Sequence, residues 1–243
     1  MYFDAHCHLH EFDHKEVEEF SDYVIAAVSD DVESSRKTMK LAQERENVIP
    51  CFGIHPWVVD KASMSSVSEI EALVSSAELC CLGEVGLDKR FAPQTFSRQV
   101  RFFEEFVKMA VEYGAPLNVH AAGAWREVYE ILLKRDVERA LLHWYTGPLD
   151  LLEEVTAKGY FISINPAMEM QKKHMVVAVE VDLKRVLIES DGPYKYRGLR
   201  LTPKLIPKTL EGLAKAKKLR VEELRSIVES NFRAFFGFTR RAF

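Results

Sequence analysis

Short apolar runs alternate along the chain with longer segments whose apolar residues recur at helical spacing. The runs predict strands at 2–6, 23–29, 48–54, 79–85, 116–120, 140–143, 160–164 and 186–189. Between them, Asp31 suits the N-terminal cap of a helix reaching about residue 46, and 65–76 reads as a second helix. In 93–113 the apolar residues Phe96, Val100, Phe103, Phe106, Val107 and Ala110 share one helical face, which stops at Gly114. Further helices are predicted at 125–134, 149–158 (closed by Gly159), 205–217 and 221–236, with a weakly patterned helical stretch at 167–182.

Strands that are apolar throughout, separated by helices, are the pattern of parallel strands buried on both faces. A count of eight favours a (β/α)₈ barrel of the TIM type over an open doubly wound sheet, as one domain over residues 1–243. There is no GxGxxG and no phosphate-cradling Walker loop, so no organic cofactor is expected.

In such a barrel the catalytic groups stand at the carboxyl ends of the strands. Strand one ends in His6 and His8, which face the same way as Asp4 if the strand alternates. Strand three ends in His55, strand four in Glu84, strand five in His120, strand six in His143 and strand eight in Asp191. A single histidine closing a strand is most often a hydrogen-bonded structural residue. Here, however, five of the eight histidines in the chain stand at strand ends beside two carboxylates. That concentration of charge and imidazole at a barrel mouth needs a cation, because uncompensated buried charge costs several kcal/mol.

Four imidazoles and two carboxylates are too many for one tetrahedral zinc with an open position. Two divalent cations about 3.5–4 Å apart would use them all. In this reading His6, His8 and Asp191 share one metal, His120 and His143 hold the other, and Glu84 bridges. His55 is left to contact substrate.

Composition narrows the partners. The net charge of −4 argues against whole-surface attraction to nucleic acid, so phosphate recognition must come from a local patch or a metal. Cys7, Cys51, Cys80 and Cys81 have no CxxC spacing and lie in apolar runs, reading as reduced core residues of a cytoplasmic protein. No apolar run has the length of a membrane span, and no signal peptide pattern opens the chain.

The ordered set DAHCHL, GIHP, GEVGLD, His120, LLHWYTG, ESDGPY and the segment from Asn231 to Phe236 resembles the TatD family of metal-dependent hydrolases, within the amidohydrolase-like barrel superfamily. DxHxH alone is common among metallohydrolases, whereas the ordered set is specific. It runs from Met1 to Gly237. The resemblance implies a deoxyribonuclease-type phosphodiesterase acting on DNA, with His6, His8, Glu84, His120, His143 and Asp191 holding two divalent cations (Zn, Mg or Mn). Asp191 would orient the attacking water and take its proton, Glu84 would serve catalysis as the bridging acid, and His55 would hydrogen-bond a phosphoryl oxygen or the leaving group. Glu189, in phase with Asp191, would support the ligands.

Three positions depart from the family pattern. Ala122 stands where an arginine is usual, HxFSG is replaced by the run from His143 to Gly147, and ETD by Glu189-Ser190-Asp191. No ligand is lost, but the missing guanidinium bears on substrate contact, where Arg126, Lys89 or Arg90 would have to substitute. Lys195, Arg197, Arg200 and Lys204 form either a basic rim for a nucleic-acid backbone or a solvated loop. Trp57 and Trp144 either stack on bases or pack at the rim. Hydrolysis of a lactone, amide or small phosphoester at the same centre is the rival activity, and a binding protein with an idle metal site a third reading.

Overall fold

The computed structural model describes residues 1–238. The strands are β1 (Tyr2–Cys7), β2 (Tyr23–Ala27), β3 (Val48–Phe52), β4 (Cys81–Gly86), β5 (Leu117–His120), β6 (Ala140–Leu142), β7 (Phe161–Ile164) and β8 (Val186–Ile188). They form one sheet in sequence order, and with helices between successive strands the fold is a (β/α)₈ barrel. Those helices are α1 (His14–Glu18), α2 (Val32–Glu44), α3 (Met64–Ser76), α4 (Phe96–Tyr113), α5 (Trp125–Lys134), α6 (Leu149–Lys158) and α7 (Lys172–Glu180). A two-stranded hairpin, β9 (Lys195–Tyr196) and β10 (Leu199–Arg200), precedes α8 (Ile206–Lys217) and α9 (Val221–Phe236). No described helix is long and apolar enough to cross a membrane.

The chain divides into two compact units, one of Met1–Ala27 with His143–Phe243 and the other of Val28–Leu142. In the first, β1 pairs with β2 and β7 with β8, all in parallel. The Asp191 N–H donates to the His6 carbonyl at 2.9 Å and the His8 N–H to the Gly192 carbonyl at 2.8 Å, tying β1 to the residues after β8. The Asn231 side-chain amide on α9 donates to the carbonyls of Leu183 and Val186 at 2.7 and 2.8 Å, fixing α9 on the entry to β8.

In the second unit β3 to β6 pair successively, and every residue of these strands is buried. Asp31 caps α2 by accepting the Ser34 N–H at 2.8 Å. Phe102, Phe103, Phe106, Val107 and Ala110 bury one face of α4, and Gly114 ends it in the left-handed region at φ 60°. Gly86 closes β4 at φ 141°, where a Cβ would lie 2.0 Å from the His120 carbonyl oxygen; only glycine lets β4 approach β5 this closely.

Two expectations change. The register of β3 against β4 sets Cys51 opposite Cys81 at a Cα separation of 4.4 Å, and the two form a disulfide. Cys7 and Cys80 are free. The segment 167–182 is not one helix: a turn of 3₁₀ helix at Pro166–Glu169 precedes α7.

Candidate metal centre

In the first unit three ligand-type atoms converge. His6 is fully buried near the end of β1, and His8 follows the strand. Their Nε2 atoms lie 3.4 Å apart. Asp191, past the end of β8, places Oδ1 at 3.6 Å from Nε2 of His6 and 3.7 Å from Nε2 of His8. A cation about 2.1 Å from each of three ligands separates them by about 3.0–3.5 Å, so this triangle has nearly the dimensions of a coordination face.

The surroundings fix the triangle. Asp191 sits in the left-handed region at φ 54°, which costs a non-glycine residue on the order of 1 kcal/mol and persists only where the neighbours over-determine it. Burial pushes its carboxyl up to about 6, against the pull of His6, His143 and His8. Asp4 lies deeper, where its Oδ1 accepts the N–H of Ser190 at 2.8 Å and of His6 at 3.2 Å. Burial raises its carboxyl to about 7.

His143 stacks on His6 with ring centroids 4.0 Å apart and turns Nδ1 toward Glu189, 3.7 Å from Oε1. Glu189 is fully buried and also accepts the Trp144 N–H at 3.0 Å and the Ser163 hydroxyl. Burial opposes its charge, but His143 and Ser163 outweigh that and hold its pKa below the ordinary carboxylate value. At 3.7 Å the contact with His143 is longer than a hydrogen bond, and the carboxylate acts through its charge, which favours a proton on Nδ1 and the lone pair on Nε2. Ligand atoms of His6, His143 and Glu189 come within 4.8 Å of one another, as do those of His6, His8 and Asp191.

The second unit carries its own cluster, His55, Glu84 and His120, with ligand atoms likewise within 4.8 Å. Glu84 Oε1 lies 2.7 Å from Nδ1 of His120 and 3.3 Å from Nε2 of His55. His55 Nδ1 accepts the Trp57 N–H at 3.2 Å, and burial lowers the pKa of its ring. Neutral His55 therefore carries its proton on Nε2, which makes that atom a donor and not a metal ligand.

His120 is oriented from the other side. Its Nε2 lies 3.0 Å from Oδ2 of Asp88, a fully buried residue two positions past β4. Asp88 Oδ2 accepts the Trp57 indole N–H at 2.5 Å, and Oδ1 accepts the N–H groups of Arg90 and Phe91 at 2.7 Å. Burial works against the charge of Asp88, but His120, the Phe91 N–H and Trp57 overcome it and lower the pKa to about 2. Fixed as a carboxylate, Asp88 draws the proton of His120 to Nε2 and leaves Nδ1, beside Glu84, for a cation.

The family model described as TatD related DNase matches residues 3–237. The chain belongs to the TatD family. Like its relatives in that family it is a metal-dependent hydrolase. It is 28% identical to an uncharacterized metal-dependent hydrolase of Methanocaldococcus jannaschii, over 97% of this chain and 96% of that one. It is 27% identical to the Escherichia coli metal-dependent hydrolase YcfH, over 96% and 94% of the two chains. The crystal structure of YjjV, a TatD homologue from Escherichia coli, superposes with a TM-score of 0.88 at 21% identity, covering 98% of each chain.

In this TatD-family chain His6, His8 and Asp191 come together as one group, with His143 against His6, and Glu84 and His120 as another. His55, expected to contact substrate, faces Glu84 as a donor, and Glu189 faces His143. Asp88 carries no role in the sequence reading beyond its place in GEVGLD. Of the basic rim, Arg200 pairs with Glu16 and Lys204 with Glu19 on or beside α1, while Arg197 donates to the Met170 carbonyl at 2.7 Å. Lys89 pairs with Glu127. Arg90 is exposed, its guanidinium 5.1 Å over the Phe91 ring.

Proposed function

We propose that the protein is a deoxyribonuclease that hydrolyses phosphodiester bonds with two divalent cations, held by His6, His8, Glu84, His120, His143 and Asp191. The observation that carries this reading is the triangle of His6 Nε2, His8 Nε2 and Asp191 Oδ1, 3.4 to 3.7 Å on a side. Imidazole with carboxylate is a donor set that suits zinc and manganese. When bound, such cations supply a water of near-neutral pKa and neutralise charge on the attacked phosphate.

The residues of the chain do the rest. Asp191, held in the left-handed region, orients the attacking water and takes its proton. Glu84 places Oε1 beside Nδ1 of His120, so that the two would share a cation, and accepts from His55. His55, with its proton on Nε2, shifts that hydrogen bond from Glu84 to a phosphoryl oxygen when substrate binds. Glu189 and Asp88 hold His143 and His120 in the tautomers that leave ligand nitrogens free.

The test compares turnover by the metal-loaded protein of a DNA oligonucleotide, bis(p-nitrophenyl) phosphate, and lactone and amide substrates. The expected result is cleavage of the phosphodiesters, with Asp191→Asn lowering kcat by at least a thousandfold while the protein stays folded. Turnover of lactones or amides alone would replace this reading with an amidohydrolase activity on the same residues.

A further inference from the structure

Around Asp88 the exposed side chains of Trp57, Phe91 and Arg90 form a platform beside the His55, Glu84 and His120 cluster. Trp57 is 48% exposed and Phe91 61% exposed, unusual values for aromatic side chains beside a buried polar cluster. The Trp57 ring lies edge-on to Phe91 with centroids 6.0 Å apart, and equally edge-on to His120 at 6.1 Å and His55 at 5.0 Å. One carboxylate sets the arrangement: Asp88 Oδ2 takes the Trp57 indole N–H while Oδ1 takes the backbone N–H groups of Arg90 and Phe91. The same Oδ2 faces Nε2 of His120, so the platform is registered to the cluster through a single side chain. Arg90 has no carboxylate partner among the described residues, and its guanidinium rests on the Phe91 ring. The adjacent Lys89 is engaged with Glu127 and is not available.

We propose that Trp57, Arg90 and Phe91 form a subsite for an unpaired nucleotide flanking the scissile phosphate of a single-stranded nucleic acid. The proposal rests on the phosphodiesterase reading above. Its chemistry is that of the exposed ring surface of Trp57 and of the Phe91 face away from Arg90, plus one guanidinium. A base stacks on aromatic rings whatever its identity, and a planar guanidinium grips a phosphodiester through two parallel N–H donors. Stacking requires a base out of the duplex, so the platform selects single strands or frayed ends. The carboxylate-fixed Trp57 and the Asp88-anchored loop present these groups preformed, which spares the binding step the ordering of flexible side chains.

The test measures fluorescence anisotropy of a labelled phosphorothioate oligothymidylate, which resists cleavage, with the metal-loaded protein and with Phe91→Ala, Phe91→Trp and Arg90→Ala. Both side chains are exposed, so none of these changes disturbs the core. Wild-type protein is expected to bind the single strand at least tenfold more tightly than the duplex. Phe91→Ala and Arg90→Ala should each weaken binding about tenfold, and Phe91→Trp should restore it. Equal affinity in all four proteins, equal affinity for duplex, or no binding by the wild type would overturn the subsite. Binding with these losses but no cleavage of the matching phosphodiester strand would keep the subsite and end the phosphodiesterase reading. Cleavage with binding indifferent to Phe91 and Arg90 would do the reverse.

Discussion

Asp88 and Glu189 each face one nitrogen of a histidine, His120 in one case and His143 in the other, and would leave the second nitrogen for a cation. Outer carboxylates of this kind are worth about 10–100-fold in metal affinity. Asp88→Asn is therefore expected to weaken metal binding by that range with little loss of fold, read by competition with a chelator; an unchanged affinity would remove Asp88 from the site. A different buried histidine contributes to the response to acid, opposite in sign to the raised carboxyls of Asp4 and Asp191. His174 donates from Nδ1 to the Tyr145 carbonyl at 3.1 Å and accepts the Asn165 N–H at Nε2. Burial lowers its pKa to about 4, against an ordinary value of about 6.5. Between those values the unfolded chain binds the proton and the native chain does not, so this histidine makes stability fall as pH drops from about 6.5 to 4, by about 3 kcal/mol at the limit. Denaturant titrations should show that pH dependence reduced in His174→Asn; identical profiles for both proteins would contradict it. Neither role was legible in the sequence. Asp88 lies past a strand end and finds His120 across 32 residues, and His174 is a polar residue buried inside a helix whose pattern it blurs.

At the level of elements, the strands and most helices were readable because their residues are buried in the period each element requires. The strand-end positions of His6, Glu84, His120, His143 and Asp191 followed directly from where the apolar runs stop. Contacts set by register were not readable. Cys51 and Cys81 lie on separate runs, and only the pairing of β3 with β4 brings them opposite each other. A thiol titration of the denatured, non-reduced protein should therefore find two free cysteines, Cys7 and Cys80, and four after reduction. Four thiols before reduction would show the bridge to be absent. If it is present, Cys81→Ser should cost about 4 kcal/mol of stability under non-reducing conditions, the scale of closing a loop of 30 residues. The partners of the cations after Asp191 were hidden for a related reason: Arg200 meets Glu16 and Lys204 meets Glu19 across more than 180 residues of sequence.

For the whole molecule, a net charge of −4 leaves phosphate recognition to local groups, and the chain concentrates its imidazoles with buried carboxylates at strand ends. Those groups are proposed to hold two divalent cations for hydrolysis. Native mass spectrometry of the protein, reconstituted with zinc or manganese and freed of excess metal, tests that proposal most directly. Two cations per chain are expected in the wild type, with a loss of at least one in Asp191→Asn. A wild-type chain that retains one cation or none would contradict it.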